Sequence, residues 1–262
     1  DLVRSRGLGD VYKRQLSNKS MQARSITYEL CTSTIDAVQL AQNYQLHGIE
    51  LCNVLSIGGI SPSLSFLKQS RDIFKGEISV LIRPRPGNFV YNSPEKTLIL
   101  DEIQLFVDCG MDTIVFGCLD EQNQVDFDFL SIIKSKAPIC KLCFHRAFDD
   151  ISDQSSALES LIDCGIDRVL TSGGKQSAHL GAEKLKQLIV QANDRIEVMP
   201  GAGVNASNIQ EILRTTGAKR IHFSLTQRLK NYESIMDLGE ISQIQKAELE
   251  KLLEIQLELA QN

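Results

Sequence analysis

Short apolar runs rich in β-branched residues alternate along the chain with longer segments whose apolar residues recur every three or four positions. Four of these runs follow the same phrase: a helical stretch ends in glycine, an apolar residue comes next, and the β-branched run begins within three residues. The four copies lie at residues 47–51, 109–116, 164–170 and 216–223. Glycine suits this position because the residue just past a helix often takes a left-handed conformation. Each copy therefore predicts a helix-to-strand joint.

Four further apolar runs of strand length lie between these joints, at residues 26–31, 78–82, 139–144 and 196–199. The intervening segments have helical spacing, as in Ile35, Val38 and Ala41. Eight strands that alternate strictly with helices indicate a parallel sheet, and eight units is the number that closes a barrel. We therefore predict an α/β fold, a single-domain TIM-type (β/α)₈ barrel, with an open doubly wound sheet as the structural alternative.

The two ends of the chain carry different patterns. Residues 5–15 resemble the translation of a sequencing-library adapter, and we predict that residues 1–24 are a non-native or disordered leader. The barrel is expected over residues 25–262. The last part of that range is charged, with apolar residues at helical spacing, which predicts a C-terminal helix that closes the last unit.

Composition narrows the classes of partner. The 262 residues are 42% hydrophobic with a net charge of -5, which suits one large barrel and gives no basic surface for nucleic acid. No apolar stretch reaches the roughly 18 residues that a membrane span needs, and a secretory signal core is missing, so we predict a cytoplasmic protein with no membrane partner. Seven scattered cysteines, an odd number in a mid-sized chain, favour reduced thiols.

The first two predicted strands end in the same Glu-Leu-Cys triplet. Glu29 and Cys31 belong to the first strand, and Glu50 and Cys52 to the second. Alternation along a strand places Glu29 and Cys31 on one face. In barrels of this class the functional groups gather at the C-terminal ends of the strands. If these faces point inward, two carboxylates and two thiols converge.

Charged groups follow the third and fifth predicted strands. Arg83 and Arg85 come after the third, and a guanidinium group can bond a carboxylate or phosphate through two parallel hydrogen bonds. His145, Arg146 and Asp149 come after the fifth, a set that can carry general acid or base chemistry. The alternative is an Arg146–Asp149 pair with a hydrogen-bonded histidine that only fixes the loop.

Two glycine-rich loops follow the sixth and seventh predicted strands. The first contains Ser172, Gly173 and Gly174, and the second contains Gly201 and Gly203. Backbone N–H groups in such loops can hold a phosphate or another anion. Glycine is also the ordinary solution for a tight strand-to-helix turn, so neither loop is specific alone.

Two further features carry weaker signals. Cys140 and Cys143 have CxxC spacing but fall in a predicted strand, where their side chains would point to opposite faces, which argues against a redox or zinc site. His222, in the eighth predicted strand, is expected to be a hydrogen-bonded structural residue rather than a ligand.

Seven strand-end motifs stand in the order found in CutC proteins, and over residues 25–224 the chain resembles the CutC family. The motifs lie at residues 29–31, 49–63, 82–85, 115–117, 144–149, 171–174 and 199–204. The resemblance implies a TIM-type barrel that forms a homodimer or higher homo-oligomer. It also implies a role in copper homeostasis, with Cu(I) bound by Cys31 and Cys52. Ala202 departs from the family's usual glycine triplet.

Two functions therefore stand side by side. The first is copper homeostasis of the CutC type, in which soft thiolates hold Cu(I). The second is an enzyme that acts on a small anionic substrate, a phosphate or a carboxylate. In the second function proton transfer falls to Glu29, Glu50, His145 and Asp149, and binding to Arg83, Arg85, Arg146 and the two glycine loops. Whether the chain catalyses a reaction is left open by the sequence.

Overall fold

The computed structural model describes residues 26–228 and 242–259, in which eight parallel strands curl into a nearly closed barrel. The strands follow one another in the order β7-β6-β5-β4-β3-β2-β1-β8, and β7 and β8 lie side by side at the seam. The predicted (β/α)₈ barrel is confirmed. The doubly wound alternative is wrong, because the sequential order never reverses and β1 bonds to β8. The predicted leader, residues 1–24, lies outside the described residues.

Each barrel strand is followed by a helix. The strands are β1 (Thr27–Thr32), β2 (Gly48–Leu51), β3 (Glu77–Leu81), β4 (Thr113–Phe116), β5 (Lys141–Phe144), β6 (Arg168–Thr171), β7 (Glu197–Pro200) and β8 (Arg220–Phe223). The helices are α1 (Ile35–Asn43), α2 (Leu64–Ile73), α3 (Ser93–Val107), α4 (Phe127–Lys136), α5 (Gln154–Asp163), α6 (Ala182–Ala192), α7 (Ile209–Thr216) and α8 (Lys246–Leu259). Two 3₁₀ turns (Leu55–Ile57 and Arg146–Asp150) and an antiparallel hairpin of β9 (Thr226–Arg228) and β10 (Ser242–Ile244) complete the described residues.

The predicted elements match closely, with small shifts at their ends. The fifth strand begins at Lys141 rather than at Ile139, whose side chain is 85% exposed. Three of the four glycine joints are as predicted: Gly110, Gly165 and Gly217 take a positive φ just past a helix. The first differs, because Gly48 begins β2 and the left-handed residue after α1 is Gln45. The predicted C-terminal helix is α8, which buries Leu249, Leu252 and Leu253. No helix in the described part of the chain is long and apolar enough to cross a membrane.

The strands divide the core into two layers. Outward-facing residues such as Leu30 and Ile49 pack under the helices, and each such side chain contributes about 1.5–3 kcal/mol by its burial. Inward-facing residues form a smaller apolar cluster inside the barrel. That cluster contains Cys31, Cys52, Leu81, Val115, Cys143, Leu170 and Met199. The predicted alternation at Leu30 and Cys31 is therefore confirmed.

Buried ion pairs fill the N-terminal end of the barrel. This base network consists of Glu29, Glu77, Arg168, Glu197 and Arg220. Its Arg168 guanidinium lies 2.7 Å from Glu197, 3.2 Å from Glu77 and 3.4 Å from Glu29. Arg220 lies 3.0 Å from both Glu77 and Glu197. Opposite charges at these distances offset the cost of removing each charge from water.

Candidate functional site

A cavity of about 290 Å³ opens at the C-terminal end of the barrel. All eight strands, or the loops that follow them, contribute to its wall. Leu81, Val115 and Leu170 from the inner cluster form an apolar part of the wall. Polar groups lie on two sides, one beside β1, β2 and β8 and the other beside β3 and β5. The two sides differ in chemistry.

The first side carries Cys31, Glu50 and His222, and Cys52 lies against Cys31 outside the cavity lining; these four residues form the thiol cluster. The two sulfur atoms lie 3.5 Å apart, and Cys31 Sγ donates to Glu50 Oε1 at 3.3 Å. One ligand atom from each of Cys31, Glu50 and His222 lies within 4.8 Å of the other two. All four side chains are buried. This is a donor set that could hold one metal ion.

Burial and neighbouring groups together shift the pKa values of Cys31, Glu50 and His222. The pKa of Cys31 is raised well above its usual range by the hydrogen bond with Cys52 and by burial. Burial likewise raises the pKa of Glu50. Burial alone would lower the pKa of His222, but the Glu50 and Glu29 carboxylates raise it overall. Cys31 is therefore held as a protonated thiol, and Glu50 takes up a proton more readily than an exposed carboxylate does.

Glu29 lies below the cavity, in the base network. The register pairs Cys31, not Glu29, with Glu50, so the two identical triplets are offset by two residues. Glu29 accepts hydrogen bonds from His222 Nδ1 at 3.0 Å and Ser79 Oγ at 3.2 Å. Burial alone would raise its pKa, yet the His222 hydrogen bond and the Arg168 charge lower it to about 2. The expectation that both carboxylates converge at the mouth is corrected: only Glu50 lines the cavity.

Arg83 lines the second side of the cavity and is only 6% exposed. Its guanidinium donates to the carbonyl oxygens of Gly59 at 2.8 Å, Gly87 at 2.9 Å and Ile57 at 3.2 Å. Across residues 26–228 and 242–259, no carboxylate forms an ion pair with it. Burial lowers the pKa of this group. Arg83 is thus a buried cation held only by neutral acceptors.

His145 lies next to Arg83, against the same aromatic ring. The Phe89 centroid is 4.7 Å from the His145 ring centroid and 5.1 Å from Arg83 Cζ. His145 Nδ1 accepts the Ala147 N–H at 3.1 Å, so the neutral ring carries its proton on Nε2, which is buried without a hydrogen-bond partner. Burial and the Arg83 charge lower its pKa to about 3. At neutral pH His145 is therefore a neutral donor.

Gly117 makes room for this histidine. A Cβ atom at position 117 would lie 2.3 Å from the His145 ring, a distance that no side chain tolerates. Glycine is therefore required where β4 ends, because the imidazole of the next strand lies directly against the backbone there.

Asp149 lies outside the cavity and fills the glycine loop after β6. Its carboxylate accepts the N–H groups of Ser172 and Gly174 at 3.0 Å, while Gly173 N–H donates to Thr171 Oγ1. The amides of Ser172, Gly173 and Gly174, predicted to bind an anionic ligand, are thus directed at groups of the chain itself. Arg146 lines the cavity rim and pairs with Asp149 at 2.9 Å, the loop-fixing arrangement weighed as the alternative.

The remaining predicted residues divide between the wall and its support. Arg85 lies outside the cavity, where its guanidinium bonds to Glu95 and to the Val90 carbonyl at 2.8 Å. Gly201 supports the wall, because a Cβ there would lie 2.4 Å from Leu170. Gly203 lines the cavity itself.

His222 lines the cavity, which differs from the role predicted for it. It was expected to be structural, and it does bond to Glu29, but it also lines the cavity beside Cys31 and Glu50. Strand alternation carried the signal: Arg220, His222 and Ser224 share a face, and an inward-facing histidine near the end of a strand approaches the mouth.

These features define a (β/α)₈ barrel with a partly polar cavity at the C-terminal ends of its strands. The CutC family model matches residues 26–227, and the chain belongs to the CutC family. A CutC family protein of Pasteurella multocida is 40% identical over 196 residues, which are 75% of this chain and 80% of that one. Another, from Xylella fastidiosa, is 36% identical over 241 residues, or 88% and 90% of the two chains.

Solved structures agree with membership of the CutC family and with the barrel fold. A CutC protein from Streptococcus agalactiae, provisionally assigned to copper homeostasis, superposes with a TM-score of 0.71 at 33% identity, covering 76% of this chain and 98% of that one. The thiamine phosphate pyrophosphorylase of Pyrococcus furiosus has a TM-score of 0.56 at 14% identity, covering 90% and 98% of the respective chains. At that identity the second likeness shows the barrel fold alone.

Proposed function

We propose that this CutC family member acts in copper homeostasis by binding Cu(I) through Cys31 and Cys52. The observation that carries the proposal is the 3.5 Å separation of two buried sulfur atoms on neighbouring strands. Metal–sulfur bonds of about 2.3 Å place two sulfurs on one ion about 3.8–4.6 Å apart, a range that small side-chain rotations reach. Thiolates are soft ligands that select Cu(I) over harder ions.

Glu50 and His222 supply the proton and charge chemistry that such binding needs. Each thiol must lose its proton to become a thiolate, and Glu50 Oε1 already accepts the hydrogen bond from Cys31. Two thiolates and one Cu(I) carry a net charge of -1. The raised pKa of His222 favours the cationic ring beside them, which offsets that charge.

A competitive Cu(I) titration tests the proposal. We expect Cys31→Ser and Cys52→Ser each to weaken Cu(I) binding by at least about a hundredfold, since a hydroxyl is a hard ligand. Cys118→Ser is the matched control: Cys118 is also buried, and the serine hydroxyl keeps a donor for the Asp126 carbonyl. Equal affinity in the wild type and both cluster variants would refute the copper function.

We also propose that the protein is cytoplasmic and forms a homo-oligomer. A cytoplasmic protein would keep the seven cysteines in the free form that the structure shows. A homodimer or higher homo-oligomer is proposed on the resemblance to CutC proteins. Size-exclusion chromatography with light scattering measures the assembly directly, and a monomer at micromolar concentration would contradict it.

A second function is favoured by Arg83, a buried cation that pairs with no carboxylate of the described residues. We propose that the cavity also handles a small anionic substrate, with Glu50 and His145 as the proton-transfer groups among the titratable residues that line it. Screening phosphorylated and carboxylated metabolites by thermal shift tests this function. Its failure would leave the copper proposal intact, because the thiol cluster forms the opposite side of the cavity.

A further inference from the structure

The second side of the cavity leaves two donors without the partners that buried groups normally have. Arg83 bonds only to carbonyl oxygens, and His145 Nε2 has no hydrogen-bond partner in the described structure. A buried charge is costly unless an opposite charge lies near it, and a buried donor without an acceptor is costly as well. Both deficits lie on one wall, against the single ring of Phe89.

The charge that is left unbalanced on this side of the cavity can be counted from its lining residues. Arg146, the other arginine of the lining, is already paired with Asp149. His145 is neutral at neutral pH, because its pKa lies near 3. One uncompensated positive charge therefore remains on this wall, and a ligand with one negative charge balances it.

The shape and polarity of the cavity narrow the ligand further. Its volume of about 290 Å³ lies at the lower end of the range for small-molecule pockets, roughly 300–1,000 Å³. Leu81, Val115 and Leu170 give the ligand body an apolar surface. The amides after β6, which would suit a phosphate, are held by Asp149 and Thr171.

We propose that this wall binds the carboxylate of a small monocarboxylic acid with an apolar body, through the Arg83 guanidinium and His145 Nε2–H. The proposal names the substrate class of the second function above and rests on it. The planar carboxylate offers two oxygens, one for each donor. The apolar body covers Leu81, Val115 and Leu170 and directs the far end of the molecule toward Cys31 and Glu50.

Matched pairs of small probes test the proposal on the whole chain. We expect 4-methylpentanoate and phenylacetate to raise the Tm, and the neutral amides 4-methylpentanamide and phenylacetamide to leave it unchanged. Titration calorimetry then gives the affinity of the carboxylates. Phenyl phosphate and inorganic phosphate form the third arm, which separates a carboxylate site from a phosphate site.

Three variants assign the donors. Arg83→Met should weaken carboxylate binding by at least about tenfold, because a charge-assisted bond is lost. His145→Asn should weaken it about threefold to tenfold, since Asn keeps an acceptor for the Ala147 N–H and loses the Nε2 donor. Arg85→Met is the control: it removes an arginine from the same loop but outside the cavity, and affinity should stay within about twofold.

The possible results distinguish the carboxylate proposal from the anion-handling function on which it rests. Stabilisation by phenyl phosphate but not by carboxylates would overturn the carboxylate assignment and keep the anion-handling function. Equal shifts from the acids and their amides, or unchanged affinity in a folded Arg83→Met, would also overturn the assignment. If no anion of either kind stabilises the protein, the second function falls with it.

Discussion

The two ends of the barrel interior bury charge in opposite ways. At the base, Arg168 and Arg220 face three glutamates, and every charge lies within 3.6 Å of an opposite charge; Arg220 Nη1 makes no hydrogen bond but lies 3.6 Å from Glu29. At the cavity, Arg83 bonds only to carbonyl oxygens among the described residues, and His145 Nε2 has no hydrogen-bond partner among them. Buried polar groups normally have hydrogen-bond or charge partners. The paired charges of the base network therefore indicate a structural role, and the unpaired groups beside the cavity indicate a ligand-binding site.

Backbone strain follows the same division. Non-glycine residues with positive φ at the base end are Gln45, Asn193 and Asp194, and Asn and Asp tolerate this region well. At the cavity end of the described structure they are Val54, Asn123, Ala202 and Leu225, and the three apolar side chains of this set offer no local hydrogen bond to offset the steric cost. Strain of this kind concentrates at binding sites, where the surrounding structure holds it in place.

The largest expected effect lies at the base. Arg168→Met leaves Glu29, Glu77 and Glu197 short of their shared cation, and we expect the free energy of unfolding to fall by about 3–5 kcal/mol. Arg83→Met breaks no ion pair in the described structure, so its loss should stay below about 2 kcal/mol. Urea unfolding of both variants gives the two values. A larger loss for Arg83→Met would reverse the comparison.

The two ends should also respond to acid in different pH windows. The pKa of His145 is about 3 in the folded protein against an ordinary 6.5, so only the unfolded chain takes up that proton between these values. Its contribution is complete above pH 6.5 and is lost as the pH falls toward 3. His145→Asn should reduce the slope of stability against pH there by up to about 1.4 kcal/mol per unit. Denaturant unfolding between pH 6.5 and 4 measures this slope.

Glu29 provides the counterpart at the base. Its pKa is about 2 in the folded protein against 4.5 ordinarily, so its contribution is present above pH 4.5 and declines as the pH falls toward 2. The His145 variant should leave the slope between pH 3 and 2 unchanged, because the His145 contribution is already lost there. If the slope below pH 3 also flattened in His145→Asn, the two ends would not be energetically separate.

The smallest effect concerns the strained loop after β7. Ala202 has a φ of +78°, and Ala202→Gly should raise the free energy of unfolding by about 1 kcal/mol, since glycine takes this conformation without a Cβ penalty. Gly203→Ala, at a φ of +68°, should lower it by a similar amount. Thermal unfolding of the pair detects the opposite signs, and shifts of the same sign would show that strain does not govern this loop.

Local patterns predicted the fold because three of the four predicted joints repeat the same chemistry. Glycine ended helices at Gly110, Gly165 and Gly217, and alternation correctly separated Leu30 from Cys31. These features depend on residues a few positions apart. The closure of eight units then follows from their number.

The site was harder to predict because it depends on stagger and on partners distant in the chain. Identical triplets suggested that Glu29 and Glu50 lie level, but neighbouring barrel strands are offset, and Glu29 lies two residues lower. A glycine-rich loop suggests backbone amides that are free to bind an anion. Asp149, more than twenty residues earlier in the chain, nevertheless accepts the N–H groups of Ser172 and Gly174. Nothing local to residues 171–174 identifies that carboxylate.

The carboxylate of Asp149 takes the place that a bound ligand would otherwise have at the glycine loop, because it accepts the N–H groups of that loop. Because it holds the amides of Ser172 and Gly174 whether the cavity is full or empty, the loop after β6 is ordered during folding. A ligand that enters the cavity then meets a preorganised wall and loses no affinity to ordering it. Structures with and without a bound ligand should therefore superpose at this loop, and any adaptation to the ligand must come from the opposite rim.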